Sequence, residues 1–232
     1  GNALARLTSF VGGEDLEGVE VDTRLCSGLP EQVLNDLAAE LEADLVVMAR
    51  HSRSTLERFF MGSTTEKIVH ETRFPILVVP HDGPRTVRWK PVLCAVDFSE
   101  TSKQALHFSI RLVKEYGAEL SAVHVVEFGA SIERIATEKL RAQLDTLVEK
   151  AKQELDKVVH THAAPAGTTT VVAEGKPAPI IVEQAGILGA DLVIVGERGH
   201  SLLERMAIGS TTSAILRSAS VPVLVVPAGC AV

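Results

Sequence analysis

The chain carries Asp191-Leu-Val-Ile-Val-Gly196-Glu-Arg-Gly199, then nine residues, then Gly209-Ser-Thr-Thr-Ser-Ala-Ile-Leu-Arg217, and its architecture follows from that order. The apolar run 191–195 reads as a strand buried on both faces. Two glycines follow, where the backbone must turn or be approached closely. Residues 211–218 read as a helix that opens just after Gly209-Ser210. A strand, a glycine loop and a helix N-terminus together suit a phosphate-bearing ligand. The first helical turn presents unpaired N–H groups and a partial positive charge to an anion.

The same pattern recurs earlier in the chain. A shift of 147 places residues 28–80 over 175–227 without a gap, with 22 identities in 53 positions. Gly62-Ser-Thr-Thr65 matches Gly209-Ser-Thr-Thr212, Leu56-Glu-Arg58 matches Leu203-Glu-Arg205, and Leu77-Val-Val-Pro80 matches Leu224-Val-Val-Pro227. An internal repeat of this length sets the architecture before any single residue is interpreted. The copies differ where it matters: Ala49 and Ser52 stand where the second has Gly196 and Gly199. The halves are expected to share a fold and not a site.

The second copy reads as a complete β-α-β-α-β-α-β-α-β unit. Strands are predicted at 92–97, 119–126, 168–173, 191–195 and 222–227. Helices are predicted from Ser99 or Glu100 to a C-cap at Gly117, and over 131–160, 177–189 and 211–218. The first copy supplies only later pieces: a helix end at 1–11, a strand at 19–25, a helix at 30–42, a strand at 44–49, a helix at 64–72 and a strand at 75–79. Residues 81–90, with Gly83-Pro84 and Trp89, read as a linker. The domains are thus expected at 1–83, the C-terminal part of a first unit, and 90–232, a full second unit. Repeat arithmetic would place the start of the first unit about 55 residues upstream of Gly1.

Strict alternation of strand and helix implies a parallel, doubly wound sheet with right-handed crossovers. A ligand then sits beyond the strand C-termini where strand order reverses. The loops after Asp97 and Gly196 both open there. Composition agrees: the 232 residues are 46% hydrophobic and only 4% aromatic, so the core is built from Val, Leu, Ile and Ala. The net charge of −7 argues against a general nucleic-acid surface or an anionic membrane as partner. Cys26, Cys94 and Cys230 have neither disulfide-scaffold nor zinc spacing. A reducing cytoplasm is the default expectation.

These residues resemble the universal stress protein family in its tandem two-domain form. The family pattern G-x2-G-x9-G-[ST] is matched in full by Gly196, Gly199, Gly209 and Ser210. Cys94-Ala-Val-Asp-Phe-Ser99, Val123-His-Val125 and Pro222-Val-Leu-Val-Val-Pro227 are also similar to family segments. The resemblance implies two tandem Rossmann-like sheets, with strand order 3-2-1-4-5 in the complete repeat. It implies ATP or another adenine nucleotide as ligand, with Mg²⁺ bridging the phosphates as an option. Carried over by position, Asp97 and Val125 meet the adenine, and Ala95, Val195 and Gly196 flank the ribose. Gly199, Gly209, Ser210 and Thr211 hold the phosphates. For the first half an empty or anion-only site at Gly62-Ser63 is expected, because Ala49 and Ser52 add Cβ atoms where backbone and ligand would meet.

Plainer readings stand beside these. Asp97 can cap the helix after Phe98. Arg198 and Arg205 can form ion pairs, His200 can be an exposed loop histidine, and His124 a hydrogen-bonded core histidine. His160 and His162, two apart near a helix end, read as ordinary surface residues before a metal pair. The last strands of the two copies are edge candidates, protected by proline or used to join domains or protomers, giving intramolecular pairing or a homodimer. The functional expectation is a nucleotide-binding sensor or adaptor of the stress response, with no P-loop lysine and no placed catalytic set. A nucleotide-independent adaptor, or a slow ATPase using His200 or Ser99 to place water, are the alternatives.

Overall fold

The structure is a computed structural model, and residues 3–12, 18–50, 63–81, 89–128, 138–199 and 208–230 are described. In chain order the elements are α1 (Ala3–Val11), α2 (Pro30–Glu40), β1 (Val46–Arg50), α3 (Ser63–Glu71), β2 (Ile76–Pro80), β3 (Val92–Ala95), α4 (Glu100–Tyr116) and β4 (Leu120–Val126). They continue with α5 (Glu138–Thr161), β5 (Thr169–Glu174), α6 (Pro177–Ile187), β6 (Leu192–Gly196), α7 (Ser210–Ser218) and β7 (Val223–Val226).

Alternation along the strands explains the layers. In β6 and β7, Val193, Val195, Val223 and Val225 point into one core and Leu192, Ile194, Leu224 and Val226 into the other. Side chains alternate faces along a strand, so a run apolar at every position must be covered twice. One cover is α3, α6 and α7, through Val69, Ile181 and Leu216 among others. The other is α4 and α5, through Leu106, Ile110 and Leu155. Fully buried aliphatic chains of this kind each stabilise the fold by about 1.5–3 kcal/mol. α4 shows how local signals place a helix: the Ser99 hydroxyl accepts from the Ser102 N–H at 3.2 Å, and Gly117 closes the C-terminus at φ 60°.

The sheet order is β1-β2-β7-β6-β3-β4-β5. Within the second copy this is 3-2-1-4-5, as the family resemblance implied. The two expected sheets turn out to be one. β2 and β7 pair antiparallel, with Leu77 opposite Leu224, while every other neighbouring pair is parallel. Leu77 and Leu224 are equivalent under the 147-residue shift. Repeat-equivalent residues facing each other in an antiparallel ladder relate the halves by an approximate two-fold axis through that pair. The final strands therefore join the halves within the chain.

One predicted element is absent. Residues 19–25 form no strand, and Val19 and Leu25 are exposed. The counterpart in the second copy, β5, exists by pairing with β4. The described residues offer 19–25 no such neighbour, and a segment without a partner strand cannot satisfy its backbone in a sheet, whatever its β-branched content. On β1, Val47 is likewise exposed, since no described helix covers that face. The predicted linker falls mostly on 82–88 and the start of the long helix on 131–137, both outside the described residues. No helix among the described residues is long and apolar enough to cross a membrane.

Candidate functional site

β3 and β6 lie side by side and parallel, and their connections leave in opposite directions. The chain after β3 enters α4 on one face, and the chain after β6 reaches α7 on the other. Divergence of this kind leaves a cleft beyond the strand C-termini. A cavity of about 400 Å³ occupies it. Ala95, Asp97, Val125, Val195, Gly196, Gly199, Gly209, Ser210 and Thr211, the nine residues singled out in the sequence, all line it.

The walls differ in character. Ala95, Val123 and Val125 from β3 and β4, Pro177 and Ile181 from α6, and Ile215 from α7 are apolar. The polar groups come from the β3–α4 turn and the β6–α7 connection. Asp97 Oδ1 accepts from the Ser99 N–H at 3.1 Å and the Ser99 hydroxyl at 2.5 Å. The helix cap is thus Ser99, and Asp97 orients that cap from one oxygen. Its other oxygen, Oδ2, lies against Gly199, where a Cβ would run into it.

The glycines have different neighbours. At Gly196 a Cβ would meet the backbone of Thr101 and Ser102 at 2.8–3.0 Å, so this glycine admits the first turn of α4 against the end of β6. It is packed against protein backbone, a use that the sequence pattern had not separated from ligand contact. Gly209 is the N-cap of α7, with no side-chain cap. Its N–H donates to the Glu197 carbonyl at 3.0 Å and its carbonyl accepts from the Ser213 N–H at 2.9 Å. The amides of Ser210, Thr211 and Thr212, in the first turn, then have no acceptor inside the helix. The Thr212 hydroxyl donates to the Gly196 carbonyl at 2.8 Å, pinning this turn to the end of β6.

Arg198 forms the ion pair that was the plainer expectation. Its Nε and Nη2 donate to Glu197 Oε1 at 3.1 and 2.9 Å. Glu197 is buried at 3% exposure, and its Oε2 accepts from the Ala228 N–H at 3.3 Å. The Arg198 carbonyl accepts from the Thr101 hydroxyl, stitching the glycine loop to α4. His124 donates from Nδ1 to the Val96 carbonyl at 2.7 Å and tilts against Phe98, with ring centroids 4.4 Å apart. It is a hydrogen-bonded histidine and still borders the cavity. His200 and Arg205 lie outside the described residues, as do Ser52 and Gly62 of the first copy. Ala49 is at the end of β1.

Pro177, Ile181 and Glu127 also line the cavity and were not picked out in the sequence. The available signal was weak: Ile180-Ile-Val182 is apolar on more than the one face that α6 needs for the sheet. A second cavity, about 660 Å³, lies between α4 and the starts of β1 and β2, with Arg73, Arg111, Asp44 and Glu115 on its walls.

Comparison with known proteins gives a consistent set of likenesses. The profile of the universal stress protein family matches residues 4–80 and 88–227. A universal stress protein of Methanocaldococcus jannaschii is 33% identical over 140 residues, covering 60% of this chain and 82% of that protein. One from Mycobacterium tuberculosis is 28% identical over 233 residues, covering 97% of this chain and 74% of that protein. The crystal structure of a universal stress protein from Archaeoglobus fulgidus superposes with a TM-score of 0.61 at 24% identity, over 89% of this chain and 68% of that one.

Proposed function

The chain belongs to the universal stress protein family, and we propose that its second half binds ATP or another adenine nucleotide. The observation that carries the reading is convergence: the nine residues that the family resemblance implies meet around one cavity at the reversal of strand order. The cavity fits such a ligand chemically. An apolar wall of Ala95, Val125 and Ile181 suits a planar base, and Asp97 Oδ2 offers an acceptor beside it. Val195 and Gly196 flank the ribose. The first-turn amides of α7, with the Ser210 hydroxyl, face phosphate oxygens at the positive end of the helix. Mg²⁺ would arrive with the phosphates.

In this reading, residues 90–232 carry the ligand and residues 1–83 are a degenerate relative that carries none. The protein acts in the cytoplasm as a sensor or adaptor of the stress response, with nucleotide occupancy of this cavity as the signal. Hydrolysis gains no support from Ser99, whose hydroxyl is engaged with Asp97 and the Ser102 amide.

Calorimetry with ATP tests the proposal. One ATP per chain is expected for the wild type. Gly199→Ala, whose new methyl displaces the Asp97 carboxylate, is expected to bind at least ten-fold more weakly while melting cooperatively. An absence of heat at millimolar ATP would refute the proposal.

A further inference from the structure

We infer that Arg50, a residue of the first half, is a positioning residue that sets the phosphate affinity of the second half's cavity. The inference rests on the nucleotide reading above. Arg50 ends β1, and its Nη1 donates at 2.6 Å to the carbonyl of Leu216, 166 residues away. Leu216 is in the last turn of α7, whose final carbonyls lack amide donors within the helix. The Ile215 carbonyl is taken by the Ala219 N–H. Arg50 supplies a donor to the next one, and places a cation at the negative end of the helix.

α7 has nine residues, too few to hold a helical conformation or a direction by itself. Its direction is set by what grips it. At the cavity end the Thr212 hydroxyl is fixed to Gly196. One turn in, the Ser213 hydroxyl donates to Glu66 Oε1 of the first half at 3.5 Å, and at the far end the grip is Arg50, again from the first half. The same rod that presents amides to the phosphates is therefore anchored across the two-fold joint.

Glu66 and Ser213 are equivalent under the 147-residue shift, so their contact is shared by the halves, whereas the Arg50 contact runs one way. The 147-residue shift places Arg50 over Glu197 and Leu216 over Val69. A carboxylate cannot donate to the Val69 carbonyl, so the second half does not return this contact. The half that lost Gly196 and Gly199 in favour of Ala49 and Ser52 thus holds a guanidinium that caps the other half's anion-binding helix.

The test compares ATP with adenosine, which lacks the phosphates, on the full chain by calorimetry. Arg50→Met is expected to weaken ATP about three- to ten-fold, the effect of losing one charged helix-end contact, and to leave adenosine within two-fold. Arg50→Lys, which keeps the charge, is expected to recover part of the loss. Amides of α7 in the ligand-free Arg50→Met protein are expected to exchange with solvent faster than in wild type. Unchanged ATP affinity in Arg50→Met, or an equal loss for ATP and adenosine, overturns the inference while the nucleotide reading stands. Absence of ATP binding by the wild type overturns both.

Discussion

A methyl group added at position 196 would sit 2.8 Å from the Thr101 carbonyl carbon, 3.0 Å from its oxygen and 3.0 Å from the Ser102 amide nitrogen. Unstrained carbon contacts lie at about 3.5–4.0 Å, so the methyl overlaps by roughly 0.7 Å. All three atoms are backbone of the first turn of α4, which is held by the Ser99 cap and cannot rotate aside. Relief requires α4 to slide away from β6, opening the core around Leu106 and Ile194. Overpacking of this kind costs about 1–3 kcal/mol. In a chain of this size each kcal/mol lowers the melting temperature by about 2–4 °C. Gly196→Ala should therefore melt roughly 2–12 °C below wild type by differential scanning calorimetry, with or without nucleotide. A melting temperature within 1 °C of wild type would refute the claim that this glycine exists for helix packing.

Other substitutions probe separate links. Thr212→Val removes the 2.8 Å bond to the Gly196 carbonyl in a buried setting and should cost about 1 kcal/mol in urea unfolding, with weaker ATP binding. Leu224→Ala empties a 1%-exposed site beside the two-fold joint and should cost about 2–5 kcal/mol; a cost under 1 kcal/mol would contradict the packing of β2 on β7. Burial raises the Cys94 thiol from an ordinary value near 9.0 to about 12, so a disulfide reagent at pH 8 should modify exposed Cys26 and reach Cys94 only on unfolding. The sign follows from the raised value: the neutral thiol's contribution to stability is intact below about pH 9 and is lost as pH rises toward 12. Cys94→Ala should flatten that part of the alkaline stability curve.

The second half was largely legible because its signals are local. Ser99 and Gly117 bracket α4, and β6 and β7 are short apolar runs between a glycine or proline and the next turn. The candidate cavity was legible because one spacing, Gly196 to Ser210, encodes a strand end and a helix start together. What escaped was set by distant neighbours. Residues 19–25 have the composition of a strand, and composition carries no information on whether a partner strand lies beside it. A glycine in sequence shows that something comes close, and at 196 the visitor is α4. The repeat identified Leu77 with Leu224 without revealing that they face each other. Arg50 reads as a strand-end residue until the fold brings Leu216 within hydrogen-bonding distance.

If main-chain amides at the start of α7 receive the phosphates, titrating the full chain with ATP while following its amide resonances will move Ser210, Thr211 and Thr212 furthest, with Asp97 and Val125 following and Ala49 unmoved. Shifts centred on the second cavity, at Arg73 and Arg111, with the α7 amides still, would show that the phosphates bind elsewhere.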